Sequence, residues 1–187
     1  MRLRIIEHCL TVVGLFIALP AEAVTYTTID PVGSVGTYIY GMNSKTVIAG
    51  SYFDSAGAVH GFVRDAGGQI TSFDPKQSVS TWCSAINDKG EIAGWFLDSA
   101  NVQHGFLRLT GGRIATFDVP GSTGTFANAL NDDGMITGAY SDASSDSNGF
   151  VRTPDGTIST FDPTGARGTL KHQFKKLDHG IIFAAQT

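Results

Sequence analysis

Residues 104–120 read HGFLRLTGGRIATFDVP, and the way this stretch recurs decides how the whole chain is read. Residues 60–75 give HGFVRDAGGQITSFDP and residues 148–163 give NGFVRTPDGTISTFDP. Phe62, Phe106 and Phe150 therefore fall at a constant 44-residue step, and Arg64, Arg108 and Arg152 share it. Asn43, Asn87 and Asn131 keep the same step, as do Gly50, Gly94 and Gly138, while Asp30, Asp74, Asp118 and Asp162 carry it across four copies. A repeat of 40–45 residues suits one four-stranded propeller blade, a unit that cannot bury both faces alone. The expected fold is all-β: a β-propeller-like array of four-stranded antiparallel units with a 44-residue period and about four blades, the last incomplete.

Within a unit, four short segments alternate apolar and polar residues, the period of a strand. In the middle copy they are TWCSAI (81–86), EIAGWFLD (91–98), HGFLR (104–108) and RIATFD (113–118). NDKG (87–90) and TGG (110–112) separate them, and Asn, Asp and Gly accept the left-handed backbone of tight hairpins. Looser Pro/Gly segments, DPKQSVS (74–80), DVPGSTG (118–124) and DPTGARG (162–168), join one unit to the next. The expected divisions are a lone strand at 24–30, repeats at 31–74, 75–118 and 119–162, and a degenerate partial repeat at 163–187. The lone strand VTYTTID either completes the last unit, closing four blades, or the array is truncated, with open strand edges that favour self-association. A glycine inside a strand is useful where something must come close, so Gly50, Gly94 and Gly138 are expected to admit an aromatic ring from the next blade.

The first 23 residues have Arg2 and Arg4, an apolar run over 10–19 and a terminal Ala-Glu-Ala, the pattern of a cleaved secretory signal peptide. The expected location is secreted or periplasmic, with no membrane span after cleavage. Cys9 leaves with the signal, so Cys83 is read as a buried structural thiol. A net charge of −4 lacks the basic footprint of a nucleic-acid binder.

Residues repeated in every unit point to scaffold, because a catalytic centre needs its groups once. Arg64, Arg108 and Arg152 are expected to pair with the recurring aspartates Asp54, Asp98 and Asp142 or Asp74, Asp118 and Asp162. His60 and His104 precede Gly-Phe at a strand start. They are candidate binding residues or metal ligands on a common channel, or they bond a turn backbone, a task Asn148 also performs. Trp82, Trp95 and Tyr140 are candidate stacking surfaces for a ligand. The turns 87–90 and 131–134 and the loop 141–148 carry some character of calcium loops without the full alternating acidic pattern, so no metal or cofactor is assigned. No nucleophile elbow, zinc-protease, phosphate-loop or dinucleotide motif occurs. After residue 23 the only glutamate is Glu91, so no catalytic residue is assigned either.

The pattern N-D-x-G-x-I-x-G-x-aromatic-x-D, followed by H-G-F-x-R, G-x-I-x-T-F-D and P-G, resembles the HAF family of extracellular repeats, named for a His-Ala-Phe motif. Here the triplets are His60-Gly61-Phe62, His104-Gly105-Phe106 and the divergent Asn148-Gly149-Phe150. The resemblance spans residues 24–164 and implies a secreted bacterial protein with a β-propeller-like fold, without a shared chemistry. The expected function is a secreted, non-catalytic repeat module binding glycan or protein partners. The alternatives are a propeller-type hydrolase or lyase, and a truncated product without independent function.

Overall fold

The alternating segments do form strands, and turn residues end them. A computed structural model describes residues 25–161 and the backbone of two further strands. In chain order the strands are β1 (Ser34–Met42), β2 (Ile48–Asp54), β3 (Val59–Arg64), β4 (Ile70–Phe73), β5 (Ser78–Ile86), β6 (Ile92–Asp98) and β7 (Gln103–Arg108). They continue as β8 (Ile114–Phe117), β9 (Gly124–Leu130), β10 (Ile136–Ser141), β11 (Ser147–Arg152), β12 (Ile158–Phe161), β13 (Phe174–Leu177) and β14 (Gly180–Phe183). The described residues contain no helix, and so none able to cross a membrane.

Strands β1 to β8 form one sheet and β9 to β12 a second, while β13 and β14 pair with each other. The larger sheet is two meanders, β1–β4 and β5–β8, joined by a single parallel bridge between Val59 and Ser80. All other strand pairs are antiparallel. The chain is thus all-β, with three four-stranded meanders in succession. The expected strand at 24–30 does not form over its described part: residues 25–30 are irregular, and none of them pairs in a ladder with another described residue. Tyr26 lies open to solvent, while Ile29 rests against Ile48, Tyr52 and Phe62. The expected signal peptide at 1–23, and the expected partial repeat at 163–187 apart from the backbone of β13 and β14, lie outside the described residues.

Asparagine sets the first hairpin of each meander. The Asn43 Oδ1 accepts from the backbone N–H of Lys45 and Val47, the Asn87 Oδ1 from those of Lys89 and Glu91, and the Asn131 Oδ1 from that of Met135. The side-chain amides then reach forward. Asn43 donates to the Asn87 carbonyl at 3.0 Å and Asn87 to the Asn131 carbonyl at 3.1 Å, so successive turns are tied together.

The buried Phe62, Phe106 and Phe150 each sit opposite a glycine of the neighbouring strand: Gly50, Gly94 and Gly138. A Cβ on Gly94 would lie 2.1 Å from the Trp82 carbonyl oxygen and 2.7 Å from the Phe106 ring. The ring that needs the glycine therefore comes from the same meander and not, as expected, from the next. The next meander meets this one through another aromatic. Phe73, pressed on Gly61, meets Phe106 edge-on at 6.0 Å, and Phe117, pressed on Gly105, meets Phe150 in the same way.

The arginines also differ from expectation. The Arg108 guanidinium lies 4.9 Å from the centre of the Phe73 ring and that of Arg152 4.9 Å from Phe117, an attraction between cation and ring face. None of the expected ties between Arg64, Arg108 or Arg152 and Asp54, Asp74, Asp98, Asp118 or Asp142 is found among the described residues, where the ion pairs of Asp54, Asp74, Asp98 and Asp118 are with histidine; Asp162 lies outside the described residues. The aspartates are held elsewhere, and the aromatic faces are what the guanidinium groups find within reach.

The core accordingly lies between meanders. Ala49 of β2 packs with Cys83, Ile86, Ile92, Phe96 and Phe106, and Ala93 and Leu107 pack with Ala127, Leu130, Ile136 and Phe150. Thr137 is fully buried, and its hydroxyl finds no partner.

Three substitutions check this packing in denaturant unfolding. Phe106→Ala is expected to cost about 3–5 kcal/mol, the range for a large ring lost from a core. Gly94→Ala is expected to be severely destabilising, whereas Gly111→Ala, with nothing within 4 Å of its added Cβ, stays within about 1 kcal/mol of the parent. Thr137→Val, which removes an unpaired buried hydroxyl at nearly constant volume, is expected to gain about 1 kcal/mol.

Candidate functional site

One end of each meander carries a histidine or asparagine held by carboxylate. Asp54 ends β2, and its Oδ1 accepts from the N–H groups of Ala56 and Ala58 at 2.9 Å, which closes the β2–β3 hairpin. Its Oδ2 is left for His60 Nε2 at 3.4 Å, while His60 Nδ1 meets Asp74 Oδ2 at 2.7 Å. Asp74 Oδ1 accepts from the buried Thr81 hydroxyl at 2.5 Å, which carries the chain of bonds into β5.

The second meander repeats the arrangement. Asp98 Oδ1 accepts from Ala100 and Val102, and Asp98 Oδ2 lies 3.4 Å from His104 Nε2, with Asp118 Oδ1 2.9 Å from His104 Nδ1. In the third, Asp142 Oδ1 accepts from Ser144 and Asp146, and Asn148 donates to Asp142 Oδ2 at 3.1 Å. The loop 141–148 is thus a hairpin closed by its own aspartate. The tilted rings of Tyr52 and Phe96 lie 5.2 Å and 5.1 Å from His60 and His104.

These contacts set the proton affinities. Burial disfavours the charged form of both imidazoles, but the flanking carboxylates outweigh it, and both histidines titrate above their ordinary 6.5. Asp54 and Asp98 titrate below 3.8, mainly through the N–H bonds from Ala58 and Val102, with the histidines adding to the effect.

An open groove of about 580 Å³ lies where the first meander hands over to the second. Asp74, Pro75, Lys76 and Gln77 form one wall; Phe96, Asp98, His104, Gly112, Ile114, Thr116 and Asp118 form the rest. Gln77 has a left-handed backbone, φ 68°, at the place where the other two meanders have Gly33 and Gly121. A side chain there is strained, and such strain concentrates at functional sites.

Of the binding candidates Trp82, Trp95, Tyr140, His60 and His104, only His104 lines this groove. His60 sits in the equivalent clamp of the first meander. Both rings are engaged at both nitrogens by carboxylates, not by turn backbone as expected, and the Asp98–His104 pair borders the groove without Asp54 or His60. The four do not converge on one centre. Among the described residues no group of three His, Cys, Asp or Glu is placed to hold a metal ion.

Trp82 and Trp95 stack on each other, centroids 5.8 Å apart, flanked by Phe53 and Phe126. Their faces are thus spent largely on neighbouring rings. Tyr140 is half-buried against the third meander's core. Burial pushes the Cys83 thiol up to about 12, which removes it as a nucleophile. In the turns at 87–90 and 131–134, Asp88 and Asp132 each accept a backbone N–H from the preceding turn.

Sequence reasoning missed Asp74, Lys76, Gln77 and Asp118 as a group. A signal was present: PKQ at 75–77 is the place where the repeated Pro/Gly connection loses its glycine. No family model, curated protein or solved structure matches the chain.

The clamps impose a pH dependence. Because both histidines titrate higher when folded, their contribution to stability is complete below about pH 6.5 and is lost as the pH rises through the raised value. Because Asp54 and Asp98 titrate lower when folded, their contribution is complete above about pH 3.8 and is lost as the pH falls through the lowered value. Melting temperature should therefore hold a plateau between these limits. A His60→Asn, His104→Asn double variant, which copies the Asn148 arrangement into the first two meanders, should lose much of the decline on the alkaline side. Superimposable Tm–pH curves would contradict the role given to the clamps.

Proposed function

We propose that this chain is a secreted bacterial repeat module of the HAF type, a β-propeller-like array of 44-residue units, and that it binds an extracellular glycan without transforming it. The signal-like pattern of residues 1–23 supports export, and the recurrence of clamp, turn and buried ring supports the repeat. The observation that carries the binding reading is the groove between the first two meanders, with Lys76 and Gln77 on its lip where the repeat departs from its own pattern.

The chemistry favours a sugar. Asp98 and Asp118 present acceptors for hydroxyl or ammonium groups, Lys76 and Gln77 supply donors, and Ile114 and the edge of Phe96 give an apolar patch for C–H surfaces. Three carboxylates against one lysine disfavour polyanions and suit a neutral or amino-sugar glycan. Non-catalytic binding is supported by the surroundings of the histidine: each ring nitrogen of His104 faces a carboxylate, which favours the protonated ring, and that form has no lone pair for general-base work.

A panel of neutral, amino-sugar and uronic-acid oligosaccharides tests this by calorimetry. Binding is expected for the first two classes. Gln77→Gly, which restores the glycine of the other meanders and removes strain, should weaken binding about tenfold or more, equivalent to about 1.4 kcal/mol, without lowering Tm. Silence across the panel, or a Gln77→Gly variant that binds like the parent, would defeat the proposal.

A further inference from the structure

Every carboxylate that lines the groove is bonded to a histidine. Asp74 Oδ2 lies 2.7 Å from His60 Nδ1, Asp118 Oδ1 2.9 Å from His104 Nδ1, and Asp98 Oδ2 3.4 Å from His104 Nε2. With both rings protonated, two imidazolium charges stand beside the three carboxylates. With both neutral, Lys76 alone opposes them on the groove lining. Asp118 and Asp74 remain open to a ligand, at 52% and 36% exposed.

The other groups around the two rings do not change this. Asp54 of β2 meets the second nitrogen of His60 and lies outside the groove. Tyr52 and Phe96 lie against the rings of His60 and His104. The Arg108 guanidinium reaches Gly112 at one end of the groove, and an arginine stays charged at any ordinary pH. Histidine is the group that changes charge near neutral pH. The third meander supplies the contrast: Asn148, which cannot titrate, holds Asp142, and Asp142 does not line the groove.

An ammonium group brought to Asp98, Asp118 or Asp74 meets a carboxylate already shared with an imidazolium. Two cations beside one carboxylate repel, which favours loss of the ring proton. We propose that the groove exchanges protons for a cationic amino-sugar glycan: ammonium groups of the sugar replace the histidine protons as the counter-charge of these aspartates, and the protons leave to solvent. The exchange rests on the glycan reading and narrows it to amino sugars once the rings are neutral, whereas a neutral glycan is indifferent to the protonation of the rings. Both histidines titrate above their ordinary 6.5, which sets the exchange near neutral pH. Protonated rings oppose the ammonium, so affinity for an amino sugar rises with pH, by at most about tenfold per pH unit for each proton released.

Calorimetry on the parent protein tests it with a short glucosamine oligomer and its N-acetylated counterpart, in two buffers of different ionisation heat. At about pH 6.5, where a sugar amine keeps its charge, the glucosamine oligomer should release protons and the acetylated one none. Affinity for the glucosamine oligomer should rise about threefold or more between about pH 5.5 and 6.5. The ring C–H signals of His60 and His104 in NMR should titrate at a lower pH with this oligomer bound. His60→Asn with His104→Asn, which copies the arrangement at Asn148, should abolish the proton release. Glucosamine heats that match in both buffers, histidine titrations that do not move, binding of the acetylated oligomer alone, or release that survives in the double variant would each overturn the exchange and leave the glycan reading standing. Silence from both oligomers would remove that reading, and the exchange with it.

Discussion

A phenyl ring lies flat on a neighbouring strand only where that strand has no Cβ, and this structure depends on that constraint. Phe62, Phe106 and Phe150 are fully buried because Gly50, Gly94 and Gly138 let them down onto the backbone. The rings Phe73 and Phe117 use Gly61 and Gly105 in the same way and then present their edges to the buried ring of the next meander. A guanidinium closes each junction from above. The first meander thus shares its core with the second, and the second with the third.

The groove follows from these junctions. Once Phe73 is seated against Phe106, the residues after it, Asp74 to Gln77, must cross from the first meander to the second beside the Asp98–His104–Asp118 clamp. The clamp fixes a histidine and two carboxylates in place by bonds inside its own meander. What varies from one junction to the next is the crossing segment. A repeat scaffold gains individuality where it stops repeating, and here that place is the lysine and the strained glutamine on the lip.

Much of the architecture is legible in the sequence, because period-2 alternation and Asn/Gly turns act locally. The all-β character, the buried phenylalanines and the buried Cys83 can be read directly. What lies across strands is harder. Nothing in the spacing says that the ring over Gly94 is Phe106 of the adjacent strand; that requires the β6–β7 register. Nor does it say that His104 meets Asp118, fourteen residues on, which depends on the length of the β7–β8 hairpin. The Arg–Asp pairing fails because opposite charge suggests a partner, whereas the aspartates are already committed to hairpin N–H groups and histidine. Trp82 and Trp95 suggest ligand surfaces because a tryptophan looks alike in sequence whether its face meets solvent or another ring.

The central claim is that the meanders are coupled through aromatic edges seated on glycine. A double-mutant cycle on Phe73 and Phe106, each changed to leucine to preserve burial, measures that coupling most directly. The account predicts an interaction energy of about 0.5–1.5 kcal/mol, the value of an edge-to-face pair beyond its buried area. Strictly additive losses would show that the two rings are merely near each other, and would contradict it.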